Sequence, residues 1–128
     1  MARLALAVAL LLAAAWPAAA RTLMVGPGQA LARPSDAARL AQDGDTVLIA
    51  PGVYYDCAIW HASRLTIAAA GPGVVLTDVA CAGKAAFVID GDDVTVRGLT
   101  FTRIRVADAN GAGIRAEGGS LTVDNVRF

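Results

Sequence analysis

The chain has 128 residues, 11 basic and 11 acidic side chains, one histidine and a formal net charge of zero. A nucleic-acid binder needs a basic excess, and none is present. The length allows one domain at most.

Met1 to Ala20 reads as a secretory signal peptide. Arg3 supplies the positive start, Leu4 to Ala15 is an apolar core too short to span a bilayer comfortably, and Ala18-Ala19-Ala20 is a small-residue cleavage site. Pro17 and the alanines argue against an uncleaved membrane anchor. The mature domain is then 21–128, secreted or periplasmic, with no membrane span after cleavage. Much of the 56% hydrophobic content belongs to the leader.

Thr22 to Val25 reads as a strand, closed by a Gly26-Pro27-Gly28 turn. A short helix follows. Ser35 is the expected N-cap, Asp36 favours the helix dipole in the first turn, Ala37, Ala38, Leu40 and Ala41 form an apolar stripe, and Gly44 is the expected stop. So short a helix is not stable alone; its sensible use is to cap an open end of a stack of strands. Val47 and Ile49 alternate with Leu48 as in a half-buried strand. Pro51-Gly52 turns the chain, and Val53 to Trp60 reads as further strand. Ser63 to Leu76 holds Leu65-Thr66-Ile67 and a second turn cluster, Gly71-Pro72-Gly73.

The last stretch is one unit written twice. FVIDGDDVTVRGLTF, Phe87 to Phe101, aligns without a gap with IRAEGGSLTVDNVRF, Ile114 to Phe128. Val94, Val96, Leu99 and Phe101 match Leu121, Val123, Val126 and Phe128, and Leu65 to Ile67 is a partial earlier copy. The alternation breaks at Gly98 and Asn125, residue types that tolerate a left-handed corner. Repeats of a few tens of residues with bent strands predict a solenoid, in which each coil stacks in register on the last, about 4.8 Å away. Leu121 is then expected on Val94, Val123 on Val96 and Phe128 on Phe101. A β-sandwich, the alternative, would show turn signals at shorter spacing. Cys57 and Cys81 are separated by close to one coil repeat. A disulfide between adjacent coils is expected in an oxidising compartment; buried free thiols or a metal pair are the alternatives. The absence of C-x-x-C spacing and the single distant His argue against zinc.

A cap helix, GDTVLIAPGVYYDC, LTI, GKAAFVIDGDDVTVRGLTF and NGAGIRAEGGSLTVDNVRF together resemble the right-handed parallel β-helix proteins of the pectin lyase-like superfamily. The resemblance covers Thr22 to Phe128, and GDTV…APGVY is its most specific part. It implies an all-β right-handed parallel β-helix with a short N-terminal capping helix and, more loosely, binding or processing of polysaccharide. A non-catalytic structural or adhesive solenoid of the cell envelope is the alternative. A third implied class is an envelope protein assisting metal-enzyme maturation. Neither the Gly-His-Gly nor the Arg-x-Lys segment of the polygalacturonase-type enzymes is present, and the catalytic residues stay unknown. Phe128 closes a repeat with no cap after it, so 21–128 is expected to be the N-terminal part of a longer solenoid, or to self-associate through its open C-terminal coil.

Four residues form the most site-like group. Arg115 and Glu117 are expected to point out of their strand while Ile114 and Ala116 point in. Asp108 and Asn110 sit in the preceding loop. Carboxylates and an arginine on one exposed face can bind sugar hydroxyls or an acidic sugar; the bland reading is an exposed ion pair beside a turn. Asp90, Asp92 and Asp93 crowd one turn, where Ca²⁺ is conceivable but further ligands are missing. No other cofactor or metal site is expected. His61 is isolated and reads as a surface residue. Tyr54, Tyr55 and Trp60 are either a stacking platform for sugar rings or core fillers.

Overall fold

The computed structural model describes residues 19–128. The expected leader therefore lies, up to Ala18, outside the described residues. Among the described residues, no helix is long and apolar enough to cross a membrane.

Eleven strands and one helix follow in the order β1 (Thr22–Val25), α1 (Pro34–Leu40), β2 (Thr46–Ile49), β3 (Gly52–Tyr54), β4 (Ala58–Trp60), β5 (Thr66–Ala69), β6 (Val74–Thr77), β7 (Ala85–Ile89), β8 (Val94–Arg97), β9 (Thr100–Thr102), β10 (Ala112–Ala116) and β11 (Leu121–Asp124). They build three parallel sheets: A, in the order β1-β2-β5-β8-β11; B, β3-β6-β9; and C, β10-β7-β4. The chain visits A, B and C in turn and then climbs to the next coil. This is a parallel β-helix. Three full coils are framed by β1 below and β11 above.

The register follows the repeat. Leu121 pairs with Val94 and Val123 with Val96, and Ile67 lies on Val96 one coil earlier. Phe128 stacks on Phe101 with ring centroids 5.8 Å apart. Phe101 meets Phe87 edge to face at 5.1 Å, and Phe87 meets Trp60 likewise at 5.3 Å. One aromatic column thus runs through the coils, with Trp60, Phe87 and Phe101 fully or almost fully buried. The indole Nε1–H of Trp60 has no hydrogen-bond acceptor among the described residues. On the outer side of sheet A the register aligns Thr22, Thr46, Thr66, Thr95 and Thr122, one threonine in every strand. Cross-strand threonine pairs of this kind contribute a few tenths of a kcal/mol to about 1 kcal/mol each.

The corners repeat as strictly as the strands. Gly44, Arg64, Asp93 and Ser120 each precede a sheet A strand by one or two residues, and all four have positive φ. Gly98 and Asn125, where the alternation breaks, are also left-handed, at φ 76° and 50°. Gly91 and Gly118 serve a different need. A Cβ on Gly91 would lie 2.0 Å from the Ala62 carbonyl oxygen, and one on Gly118 2.2 Å from that of Gly91. Each coil presses on the one before it here, and only glycine fits.

Charge follows the stacking too. Arg21–Asp45, Arg64–Asp43, Lys84–Glu117, Arg97–Asp124 and Arg103–Asp78 each join neighbouring coils, as does His61–Asp90. In-register strands bring equivalent positions close together, so opposite charges stabilise the register and like charges would oppose it.

Three local expectations are corrected. Ser35 is not the N-cap: α1 begins at Pro34, with extended Arg33 before it. Proline suits the first helical position, and the acceptor comes from another coil, since Asp56 Oδ2 accepts the Ser35 N–H at 2.8 Å. Gly44 does not stop the helix. It ends at Leu40 with Ala41 as C-cap, because the Asp45 carboxylate draws the Gln42 N–H away at 2.8 Å. The stretch from Val53 to Trp60 is two strands, since the corner at 55–57 passes it from sheet B to sheet C. The capping role of α1 holds: its buried Pro34 and Ala37 belong to the face that meets β4 and β1, covering the first coil.

Candidate functional site

Sheet C gathers most of the residues of interest. Its outward side carries two columns. Ile59, Val88 and Arg115 share one register row. Two positions further along each strand come His61, Asp90 and Glu117, at the corner leading to sheet A. The loops entering sheet C, 55–57, 78–84 and 103–111, lengthen from coil to coil and line one side of this face. The first two hold Cys57 and Cys81, which form a disulfide with Cα atoms 5.5 Å apart. The expected cross-link between adjacent coils is present.

Of the four site residues read from the sequence, the structure places two on the face and two in its bordering loop. Arg115 and Glu117 are exposed on and just after β10. Glu117 accepts a hydrogen bond from Lys84 Nζ, and Arg115 makes no ion pair among the described residues. Asp108 and Asn110 lie in the 103–111 loop, where Asp108 Oδ1 accepts the Asn110 N–H at 3.0 Å and closes a turn. No hydrogen bond joins this loop pair to the strand pair among the described residues. Ala116 stacks on Ile89 as its periodicity requires, yet stays exposed in the last coil.

The three clustered aspartates have separate partners. Asp90 receives His61 Nδ1, at 2.7 Å to Oδ2 and 2.9 Å to Oδ1. Asp92 Oδ1 accepts the Gly119 N–H at 2.6 Å, while the Asp92 N–H donates to Ser63 Oγ. Asp93 supplies the left-handed corner. Among the described residues, no group of three or more His, Cys, Asp or Glu side chains is arranged to hold a metal ion. Trp60 and Tyr54 are core fillers; burial pushes the Tyr54 phenol up, and its hydroxyl donates to the Ala50 carbonyl at 2.6 Å. Only Tyr55 is exposed for stacking.

A cleft of about 450 Å³ opens where α1 meets the outer side of β4. Small-molecule sites run from about 300 to 1,000 Å³. The helix contributes Arg33, Ser35, Ala38 and Arg39; the first coil contributes Asp56, Ala58, Ile59 and His61; the disulfide forms a wall. Asp56 is only 9% exposed. One of its oxygens holds the Ser35 N–H, and Oδ1 takes no hydrogen bond among the described residues. Arg33 and Arg39 share the single carboxylate of Asp36, at 3.4 Å and 3.1 Å. Desolvation raises the Asp36 carboxyl, but the hydrogen bonds from Arg33 and the charges of both arginines outweigh it and hold the group below its ordinary value. Two cations thus share one anion at the rim, and Asp56 adds a second carboxylate at the base. His61 stands at the edge of this cleft with Nδ1 committed to Asp90, so Nε2 is the nitrogen left for a ligand. Sequence reasoning missed the cleft. Its only signal is the spacing of His61 and Asp90, 29 residues, which equals the offset between Leu65 and Val94.

No protein-family model matches this chain, and no curated protein matches it. Among solved structures it is similar to the crystal structure of a pectin methylesterase mutant in complex with a hexasaccharide. The TM-score is 0.64 at 16% identity, over 81% of this chain and 42% of that one. The chain thus spans less than half the length of the structure it matches. The likeness shows the fold, a right-handed parallel β-helix.

Proposed function

We propose that this right-handed β-helix is an exported protein that associates with polysaccharide through the outer face of sheet C. The observation that carries the reading is the face itself: an open cleft at its capped end, with arginine, carboxylate and hydroxyl groups converging beside small apolar side chains. Saccharide sites combine apolar surface with a few placed polar groups in this way. The same fold in a pectin methylesterase, seen with a hexasaccharide, supports the substrate class. Export is supported by the leader-like first 20 residues and by the disulfide, which persists in oxidising compartments. Fold alone does not assign a reaction, so the reading is of binding. The test is retention of the disulfide-intact protein on a panel of immobilised neutral and acidic polysaccharides. Retention on at least one, competed by the soluble polymer, is expected; failure on all would remove the reading.

A second reading, a structural or adhesive solenoid, is favoured by the ion pairs that join neighbouring coils. They commit much of the surface charge to cohesion. That reading predicts no saccharide retention and a sedimentation coefficient that rises with protein concentration.

A further inference from the structure

We propose that Cys57–Cys81 is a thiol-exchange site, and that its reduction by a dithiol releases the N-terminal end of the cap helix from the first coil. The inference is independent of the polysaccharide reading. Both cysteines are half-buried rather than sealed in the core, and both line the open cleft between α1 and β4. An approaching thiolate reaches the bond without unfolding the coils. Disulfides exposed in this way are the labile and regulatory ones. The exchange takes two steps. One thiolate of the dithiol attacks one cysteine sulfur, forms a mixed disulfide and displaces the other cysteine as its thiolate. The second thiolate of the dithiol then attacks the dithiol's own sulfur in that mixed disulfide and frees the first cysteine. Two electrons and two protons pass to the protein, which gains two thiols, and the dithiol becomes a disulfide.

The two ends of the cross-link differ in what else holds them. Cys81 sits in a turn closed by its own backbone: its N–H donates to the Ala85 carbonyl at 2.8 Å, and its carbonyl accepts the Lys84 N–H at 2.9 Å. That turn stays closed without the sulfur bond. Residues 55–57, by contrast, make no backbone hydrogen bond outside the strand ladders among the described residues, so the disulfide is what ties this corner to the next coil. The corner in turn holds the cap, since Asp56 Oδ2 accepts the Ser35 N–H at 2.8 Å in the first turn of α1. The other end of α1 is tied separately, by Arg21 donating to the Leu40 carbonyl at 2.9 Å. Loss of the disulfide loosens one end of the helix and leaves the other as a pivot. Beneath the helix lies β4, the edge strand of sheet C, paired with β7 alone among the described residues and covered by α1. Reduction thus bares a strand edge of the kind to which another strand can add.

The test is reduction by dithiothreitol in native buffer, read by intact mass after iodoacetamide trapping, with amide hydrogen exchange followed on protein kept under reductant. The reduction rate is expected to rise in proportion to dithiothreitol concentration. Exchange over Ser35–Ala41 and Ala58–Trp60 should quicken about tenfold or more, while Val94–Arg97 in β8 keeps its protection. The Cys57→Ser/Cys81→Ser variant should show the reduced pattern and no response to dithiothreitol. Asp56→Ala, with the disulfide intact, separates the two links of the device: Ser35–Ala41 should exchange fast before any reductant is added and gain little afterwards. A rate that levels off at high dithiothreitol would mean that the bond is reached only after unfolding, and would overturn the exchange site. Unchanged Ser35–Ala41 exchange in the reduced protein, or equal acceleration at Val94–Arg97, would reduce the disulfide to a general brace and overturn the release of the cap. A full response of Ser35–Ala41 to reduction in Asp56→Ala would overturn the route through the 55–57 corner.

Discussion

The stacking glycines give the sharpest test of the coil geometry. In Gly91→Ala the new Cβ would sit 2.0 Å from the Ala62 carbonyl oxygen and 3.1 Å from that of His61. Real Cβ atoms do not approach closer than 3.0 Å, so the seam must part by about 1 Å. Two hydrogen bonds cross that seam, from the Asp90 and Gly91 N–H groups to the Trp60 carbonyl, at 3.0 and 3.4 Å. Opened by such a distance, neither survives. Each lost bond with a partly buried partner costs about 1–3 kcal/mol, giving a total of about 4 kcal/mol. Domains of this size have about 5–15 kcal/mol to lose. With a urea slope of about 2 kcal/mol per molar, the midpoint should fall by about 2 M. Gly73→Ala is the control. Gly73 has φ +86° and open space around it, so only the left-handed backbone penalty of about 1–2 kcal/mol applies. Both variants would be followed by circular dichroism in urea. A Gly91→Ala midpoint equal to or above that of Gly73→Ala would refute the steric argument.

Three further outcomes follow from the same geometry. Reducing Cys57–Cys81, or replacing both by serine, should cost about 3 kcal/mol by loop closure across the 24-residue separation, read as a lower melting temperature under reductant that the double serine variant no longer shows. Asp45 should carry part of the acid limb of stability. Burial raises its carboxyl, but hydrogen bonds from the Arg21 side chain and from the Gln42 and Arg21 N–H groups, with the Arg21 charge, outweigh burial and hold it below its ordinary value of 3.8. A carboxyl depressed on folding adds stability that is complete above its unfolded value and disappears as pH falls through its folded one. Melting temperature should therefore drop below about pH 4, and Asp45→Asn should flatten that drop; an unchanged profile would contradict the pairing. Reversing one charge of the Asp78–Arg103 pair, whose Nε–Oδ1 distance is 2.9 Å, should destabilise by about 1 kcal/mol, and Asp78→Arg/Arg103→Asp should recover most of it in a double-mutant cycle.

Much of this fold is legible in the sequence because a β-helix writes its contacts as repeats. Leu121 on Val94 and Phe128 on Phe101 follow from a gapless alignment, since stacking admits no slip. The threonine column is less legible. Thr66, Thr95 and Thr122 fall inside the repeat, but Thr22 and Thr46 belong to coils offset by 24 and 20 residues, which no alignment of the later copies reaches. Helix capping is hidden for a different reason. Ser35 is a good cap by type, and nothing local reveals that Asp56, a coil away, supplies the acceptor. The same distance hid the cleft: its groups come from α1, from the 55–57 corner and from His61, brought together only when the cap folds onto β4. Alternation places Arg115 and Glu117 outward, as observed, but the partner of Glu117 is not legible, because Lys84 reaches it from the preceding coil's loop.

Stacking also bears on where binding can occur. In an in-register solenoid each surface column brings equivalent side chains within reach of one another, so a column of like charges is self-repelling. This chain alternates sign instead: Arg97 against Asp124, Asp78 against Arg103, Lys84 against Glu117. Charges paired in this way are poor ligand groups, because a ligand must compete with a neighbour already in place. Some basic groups have no acid of their own in a neighbouring coil. Arg115 lies over Val88, an apolar position. Arg33 and Arg39 sit on the cap, where no coil below offers each its own acid. Asp56 turns toward the cap rather than toward the corner above it. The periodicity that holds the coils together thus pairs many charges along the stack, and if a polymer crosses the coils on sheet C from the cleft, it meets Arg115 two strands further on, about 10 Å away.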